Sequence, residues 1–310
     1  MTSVGSPALW IAFTLGVLAI LVIDLGVLNR DAKPMTFRKA LIAATIFVSL
    51  SLAFAGLVYH WFGKDRALEY LTGYVLELSL SVDNLFVILV IMTFFRVPAE
   101  HQHRLLFWGI LGALVLRAVF IVLGSALVQQ FHFVLYVFGA FLVFTGVKLF
   151  LHDDEDSVDP EKSFFVRAVR RIIPTIPEFV GGAFIVRRDG RRVATLLLVA
   201  LVMIEGTDVL FAVDSIPAIF AVTTDPFIVY TSNICAILGL RSLYFLLAGM
   251  MDRFRFLKVG LAVVLTFVGV KMLIVDLIKI PIEISLMAIG GVLVISVVAS
   301  LWFSEPTSKK

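Results

Sequence analysis

Runs of about 20 apolar residues recur along the chain from end to end, and that is the length a helix needs to cross the hydrocarbon of a bilayer. Nine such runs are legible, at 7–28, 39–62, 68–95, 105–129, 132–151, 194–216, 227–251, 257–277 and 282–303. Composition agrees: 60% of the residues are hydrophobic and 16% charged, where a soluble domain carries about 25% charged residues. There is too little polar surface to cover a fold in water, so lipid must be the outer solvent. The expected architecture is all-α: a polytopic membrane protein of nine transmembrane helices forming a single transmembrane domain over 1–310. The first run has no basic stretch before it and is too long for a signal-peptide core, so it reads as a retained span.

Basic residues orient the helices. With nine spans, Lys64, Arg66 and Lys279 fall on one side. The other side collects Arg30, Lys33, Arg38, Lys39, Arg96, Arg104, the basic residues of 162–192, Arg253, Arg255, Lys258, Lys309 and Lys310. The positive-inside rule then places the N-terminus outside and the C-terminus in the cytosol. The one sizeable extramembrane piece is a cytosolic basic loop at 152–193. It opens acidic (Asp153, Asp154, Glu155, Asp156), continues with an amphipathic pattern over 164–173 suited to lying on the cytosolic leaflet, and ends in a hairpin around Asp189-Gly190.

The chain also repeats itself. Glu77-Leu-Ser-Leu-Ser-Val-Asp83-Asn84 in the third run matches Asp208-Val-Leu-Phe-Ala-Val-Asp214-Ser215 in the sixth. Arg117, followed after an apolar stretch by Gly124, matches Arg241 followed by Gly249; Phe144-Thr-Gly-Val-Lys148 matches Phe267-Val-Gly-Val-Lys271. Spans three to five (68–151) thus match spans six to eight (194–277) in order. Each unit has an odd number of spans, so the copies must run in opposite directions. Inverted repeats of this kind mark many secondary transporters, with the substrate site near the midplane at the repeat interface.

Five carboxylates lie well inside spans: Glu77, Asp83, Glu205, Asp208 and Asp214. An ionised carboxylate at a bilayer centre costs about 2.5–3.5 kcal/mol even on a lenient scale, so these must face one another, a base or a cation. With Asn84, Ser215 and freed backbone carbonyls they offer an all-oxygen set, which suits Mg, Ca or Mn. The histidines His60, His101, His103, His132 and His152 sit at span ends or in loops, away from any such centre. Arg117 and Arg241 read as buried partners of carboxylates, with a moving gate as the alternative, while Lys148 and Lys271 are placed to snorkel. Asp24 could be a ligand, a group behind the ligands or an arginine's partner. Residues nine apart on a helix point about 180° from each other, so Glu205 and Asp214 cannot face one point on a straight helix. Either the helix breaks or the acids form a path. Pro217 frees the carbonyl of Val213, and a break is expected between Val213 and Pro217. Asp83 and Asp214 carry the most weight in this reading.

These motifs resemble the TerC family of integral membrane proteins, its Alx-like branch in particular. The likeness rests on Gly73-Tyr74 with Glu77, Ser81-Val82-Asp83-Asn84, the run from Asp208 to Ala221, Thr223-Thr224-Asp225-Pro226-Phe227 with Ser232-Asn233, and Gly239-Leu240-Arg241. The resemblance implies manganese export, with links to tellurite resistance and to metalation of exported proteins, and it implies that the five acids form the metal site. The residues alone reach a divalent, oxygen-loving cation; Mn2+ as the transported ion comes from the resemblance. The expectation is a non-enzymatic secondary exporter in a bacterial inner membrane. Repulsion among clustered carboxylates makes proton exchange for metal natural, and no P-loop is present to argue for ATP use. The expected partners are the lipid bilayer and a divalent metal ion. A net charge of +3 makes no case for nucleic acid, and the single Cys235 excludes an intrachain disulfide and a cysteine metal cluster. Three alternatives stand beside this reading: a Ca2+/H+ exchanger, an intramembrane aspartyl protease built on Asp83 and Asp214, and a non-transporting adaptor for metalloprotein assembly. The Gly-x-Gly-Asp pattern of such proteases is absent.

Overall fold

The computed structural model describes residues 3–23, 36–131, 133–151, 166–167, 171–188, 190–247 and 255–302; the side chains of Asp83, Arg241, Arg255 and Leu301 are outside the description. So are Asp24, the acidic stretch from Asp153 to Asp156 and most of 164–173. The helices are α1 (Pro7–Ile23), α2 (Phe37–Phe62), α3 (Lys64–Phe94), α4 (Ala99–Gln130) and α5 (Val134–Leu151). A hairpin of β1 (Ile185–Arg188) and β2 (Arg191–Ala194) follows, and then α6 (Leu196–Phe220), α7 (Pro226–Leu238), α8 (Leu240–Leu247), α9 (Arg255–Leu273) and α10 (Ile282–Trp302). Among the described residues eight segments are long and apolar enough to cross a membrane, α7 and α8 counting as one, and α1 is a shorter apolar helix. The chain is a helical polytopic membrane protein with eight to nine apolar helices. Large apolar side chains stand exposed along α2, α4 and α10, among them Leu41, Ile46, Val115, Leu123, Val294 and Ile295, as a lipid-facing surface requires.

Helix boundaries follow local chemistry. Gly63 joins α2 to α3 directly with φ +86° and ψ −179°, a combination essentially restricted to glycine. Asp225 caps α7: its Oδ1 accepts from the backbone N–H of Phe227 at 2.9 Å and Ile228 at 3.2 Å, and Pro226 fills the first helical position. The other carboxylate oxygen of Asp225 accepts from Val4 N–H at 2.8 Å, and Trp10 and Phe13 of α1 stack beside Phe227 and Tyr230 of α7. This ties the start of the chain to α7, every residue of which from Pro226 to Leu238 is buried except Tyr230. The hairpin pairs Ile185 with Ala194 and Arg188 with Arg191, and Gly190 takes φ +75°, the left-handed conformation an Asp-Gly turn needs.

The helix containing Pro217 does not break. α6 runs through it from Leu196 to Phe220, and the ladder resumes one turn on, where Ala221 N–H donates to the Pro217 carbonyl at 3.2 Å. Proline removes one helical hydrogen bond there, but every residue from Ser215 to Phe220 is buried, so packing around the turn keeps it helical. The interruption falls instead at Gly239, between α7 and α8 and two residues before Arg241. Within this frame α3 packs on α6 and α7, α4 on α6 and α7, and α5 on α9.

The α5–α9 contact is the closest. A Cβ placed on Gly139 would lie 3.0 Å from the Gly269 carbonyl oxygen, and one on Gly269 would lie 2.7 Å from that of Gly139. Gly146 is as tightly held, with the carbonyl oxygen of Ala262 2.8 Å and the backbone nitrogen of Thr266 2.9 Å from its notional Cβ. The contacts are reciprocal. The offset in sequence that carries Gly146 onto Gly269 also carries Gly139 onto Ala262 and Val143 onto Thr266, and Gly269 lies against Gly139 and Val143 as Gly146 lies against Ala262 and Thr266. Overfilling such a seam costs about 1–3 kcal/mol. Gly146→Leu and Gly269→Leu should each lower thermal stability in detergent, while Gly56→Leu, where nothing lies within 4 Å of the added carbon, should leave the melting curve in place.

Candidate functional site

The site grows from a heptad. Residues seven apart on a helix lie within about 20° of each other, so Glu77 shares a face of α3 with Asn84, and Asp208 shares a face of α6 with Ser215. Both faces meet Arg117 of α4, whose side chain is 0% exposed against 1% for Glu77. The guanidinium Nη1 donates to Glu77 Oε1 and, at 3.2 Å, to Ser215 Oγ; Nη2 donates to Asp208 Oδ1 at 3.2 Å. With its amide oxygen turned toward the guanidinium, Asn84 accepts from Nη2 at 3.2 Å and donates to the Leu80 carbonyl at 3.2 Å. Glu77 is further held by Ser81 Oγ, 3.1 Å from Oε1, and by Asn233 Nδ2 of α7, 2.7 Å from Oε2. Four helices thus converge on one buried ion cluster.

The remaining acids point elsewhere, as an unbroken α6 demands. Glu205 turns toward α4, where its carboxylate occupies the space a side chain at position 112 would need; only the glycine found there admits it. Asp214 turns toward α5 and accepts from Thr145 Oγ1 at 3.2 Å. The described residues contain no group of three or more His, Cys, Asp or Glu side chains that converge to hold a metal. The acids are therefore divided among separate places: Glu77 and Asp208 at Arg117, Glu205 at Gly112, Asp214 at Thr145. The backbone of Asp83 is helical within α3; its side chain, that of Arg241, and all of Asp24 lie outside the described residues. Val213 is exposed and Pro217 buried within the continuous helix.

Two cavities adjoin the cluster and share Asn84. One, about 30 Å³, is lined by Asn84, Gly109, Ala113, Ile204, Asp208 and Leu240 among others, room for one or two waters or an ion. The other, about 120 Å³, is lined by Leu80, Asn84, Thr145, Phe211, Asp214, Ser215 and Leu265 among others. Among the described residues buried acceptors exceed donors here: Asp208 Oδ2, Glu205 Oε2 and Asn233 Oδ1 have no hydrogen-bond partner there, and the one unpaired donor beside them is Arg117 Nε. Asn233 and Thr145 are the residues that counting charges passes over. Asn233 is the one amide in α7 and ends the polar run Thr231-Ser232-Asn233 in a mostly apolar helix, and that run is the signal that could have found it.

A match to the description "Integral membrane protein TerC family" covers residues 62–308. The chain belongs to the TerC family. It is 54% identical over 308 residues to "Uncharacterized membrane protein STKORF319" of Myxococcus xanthus, covering 99% of this chain and 96% of that one. It is 48% identical over 322 residues to "Putative membrane-bound redox modulator Alx" of Escherichia coli K12, with 100% and 99% covered, and 40% identical over 292 residues to a Rickettsia bellii membrane protein, with 94% and 96% covered. No solved structure matches. The cluster around Arg117 is built from segments inside the region matched to the TerC family.

Removing one partner of a buried charge pair leaves the other uncompensated, at a cost of about 3–5 kcal/mol. Glu77→Gln should therefore sharply lower thermal stability of the full-length protein in detergent. Glu283→Gln, which breaks the solvent-exposed pair with Lys64, should not.

Proposed function

We propose that this TerC-family protein is a secondary transporter that exports divalent metal cations, Mn2+ foremost, from the cytosol, in exchange for protons. The observation that carries the reading is the surplus, among the described residues, of buried oxygen acceptors at Asp208, Glu205 and Asn233 beside the Arg117 guanidinium. Unpaired acceptors at that depth are costly unless a cation or protons visit them. Their chemistry is all oxygen, which suits hard cations. Among the described residues no three acids form a closed cage, and that favours a path of transient partners over a storage site. Asp208, Asn84, Ser215 and Asp214 line successive cavities along it. Glu77 supports the path by holding Arg117, and Glu205 flanks it one turn of α6 from Asp208.

The reciprocal contacts of Gly146 and Gly269 support an inverted repeat, with 68–151 and 194–277 as its halves, and rocking of one half against the other would alternate access. The basic-residue distribution supports an outside N-terminus and metal entry from the cytosol, in the inner membrane of a bacterium. The name of the Escherichia coli relative points to redox modulation. Here the only cysteine, Cys235, is buried within α7, so thiol–disulfide chemistry by this chain has no second sulfur. A redox effect would then follow from metal supply.

Metal flux in proteoliposomes, with Mn2+, Ca2+ and Mg2+ measured side by side, tests the reading. Asp208→Asn, Asp214→Asn and Asp83→Asn should each lower Mn2+ flux by about tenfold or more, the low end of what metal sites lose with a supporting group. Unchanged flux in all three would remove these acids from the path. Calcium moving faster than manganese would reassign the cargo.

A further inference from the structure

Arg117 does more in this geometry than neutralise a buried acid. Its guanidinium is the one cation in contact, among the described residues, with both copies of the acidic motif: Glu77 and Asn84 from α3, Asp208 and Ser215 from α6. All of these contacts come from helices other than α4, and among the described residues Nε has no partner. The nearby cavity wall on α4, at Gly109, Ile110 and Ala113, is apolar. Among the described residues the charges do not balance either, since two carboxylates face one guanidinium and Asp208 keeps an oxygen unpaired.

Arg117 holds Asp208 by Oδ1 alone, but a divalent ion on the unpaired Oδ2 would set a double positive charge beside the guanidinium on one carboxylate, so within this cluster the two cations exclude each other. We infer that Arg117 is a tethered counter-cation: it occupies the Glu77 and Asp208 carboxylates when no metal is bound, and the metal takes Asp208 only by displacing it. The inference rests on the metal-transport reading and adds its resting state. Acids left bare between the departure of one cation and the arrival of the next, metal or proton, would be two uncompensated charges in the membrane core. An arginine on a neighbouring helix fills that role without leaving the protein, and its position between the two motif copies makes the same displacement serve both. The arginine then competes with the cargo, so the observed affinity is the intrinsic affinity reduced by the fraction of protein in which the arginine has let go.

The competition can be read by equilibrium binding of Mn2+ to the purified full-length protein, by calorimetry, with a thermal melt on each variant to report folding. Arg117→Gln should bind Mn2+ about tenfold or more tightly than the wild type. Arg117→Lys, which keeps the charge but loses the two-pronged contact, should fall between them, and Asp208→Asn should bind more weakly than the wild type. If the glutamine variant fails to fold, the lysine variant decides, since it must still bind more tightly than wild type. Weaker binding in a folded Arg117→Gln, with wild-type affinity in Arg117→Lys, would make the arginine a structural support and overturn the inference. Equal affinity in all three would overturn it as well. Absence of binding to any divalent ion in both wild type and Arg117→Gln would instead sink the metal reading itself.

Discussion

An arginine with no access to solvent, in the middle of a membrane helix, constrains everything around it. Arg117 is fully buried, and a buried guanidinium is tolerable only where its N–H groups meet acceptors with good geometry. The protein meets that demand by bringing four helices together. α3 supplies Glu77 and Asn84, α6 supplies Asp208 and Ser215, and α7 supplies Asn233 behind Glu77. The rest of the fold serves this convergence. The Asp225 cap sets where α7 begins, and so where Asn233 falls. The glycine seam between α5 and α9 lets those helices close at backbone distance, and Thr145 on α5 meets Asp214 on the side of α6 away from Glu205.

Much of this was legible in the sequence. Apolar length located the helices, because the hydrocarbon thickness fixes how many residues a span needs, and boundaries fell within a few residues at both ends of most spans. The spacing of Glu77 with Asn84 and of Asp208 with Ser215 already placed each pair on one helix face. The nine-residue separation of Glu205 and Asp214 already required opposite directions. The Asp-Gly dipeptide marked the hairpin turn.

What was not legible had physical reasons. Pro217 reads as a break in a local rule that counts one lost hydrogen bond, but the buried shell from Ser215 to Phe220 holds the helix through it. The boundary between α7 and α8, at Gly239, is slight, since the residue keeps right-handed helical dihedrals (φ −78°, ψ −14°), and it leaves no compositional mark beyond one glycine. The weighting of Asp83 and Asp214 as the central pair reflected their matching positions in the two motifs. The described geometry centres on the other matched pair, Glu77 and Asp208, because their helix faces turn to Arg117, and the side chain of Asp83 lies outside it. Asn233 entered the sequence reading only through the family resemblance, because unlike Asn84 it has no acid beside it in the chain to mark it; its place behind Glu77 is set by the packing of α7 on α3.

The central claim is that oxygen groups around Asp208 take up a divalent cation inside the membrane. Electron paramagnetic resonance of Mn2+ added to the purified full-length protein examines that site directly, because hyperfine couplings report which nuclei ligate the metal. The account predicts bound Mn2+ with oxygen ligands only, and loss of that signal in Asp208→Asn. Nitrogen couplings from a histidine, or an unchanged signal in the variant, would contradict it.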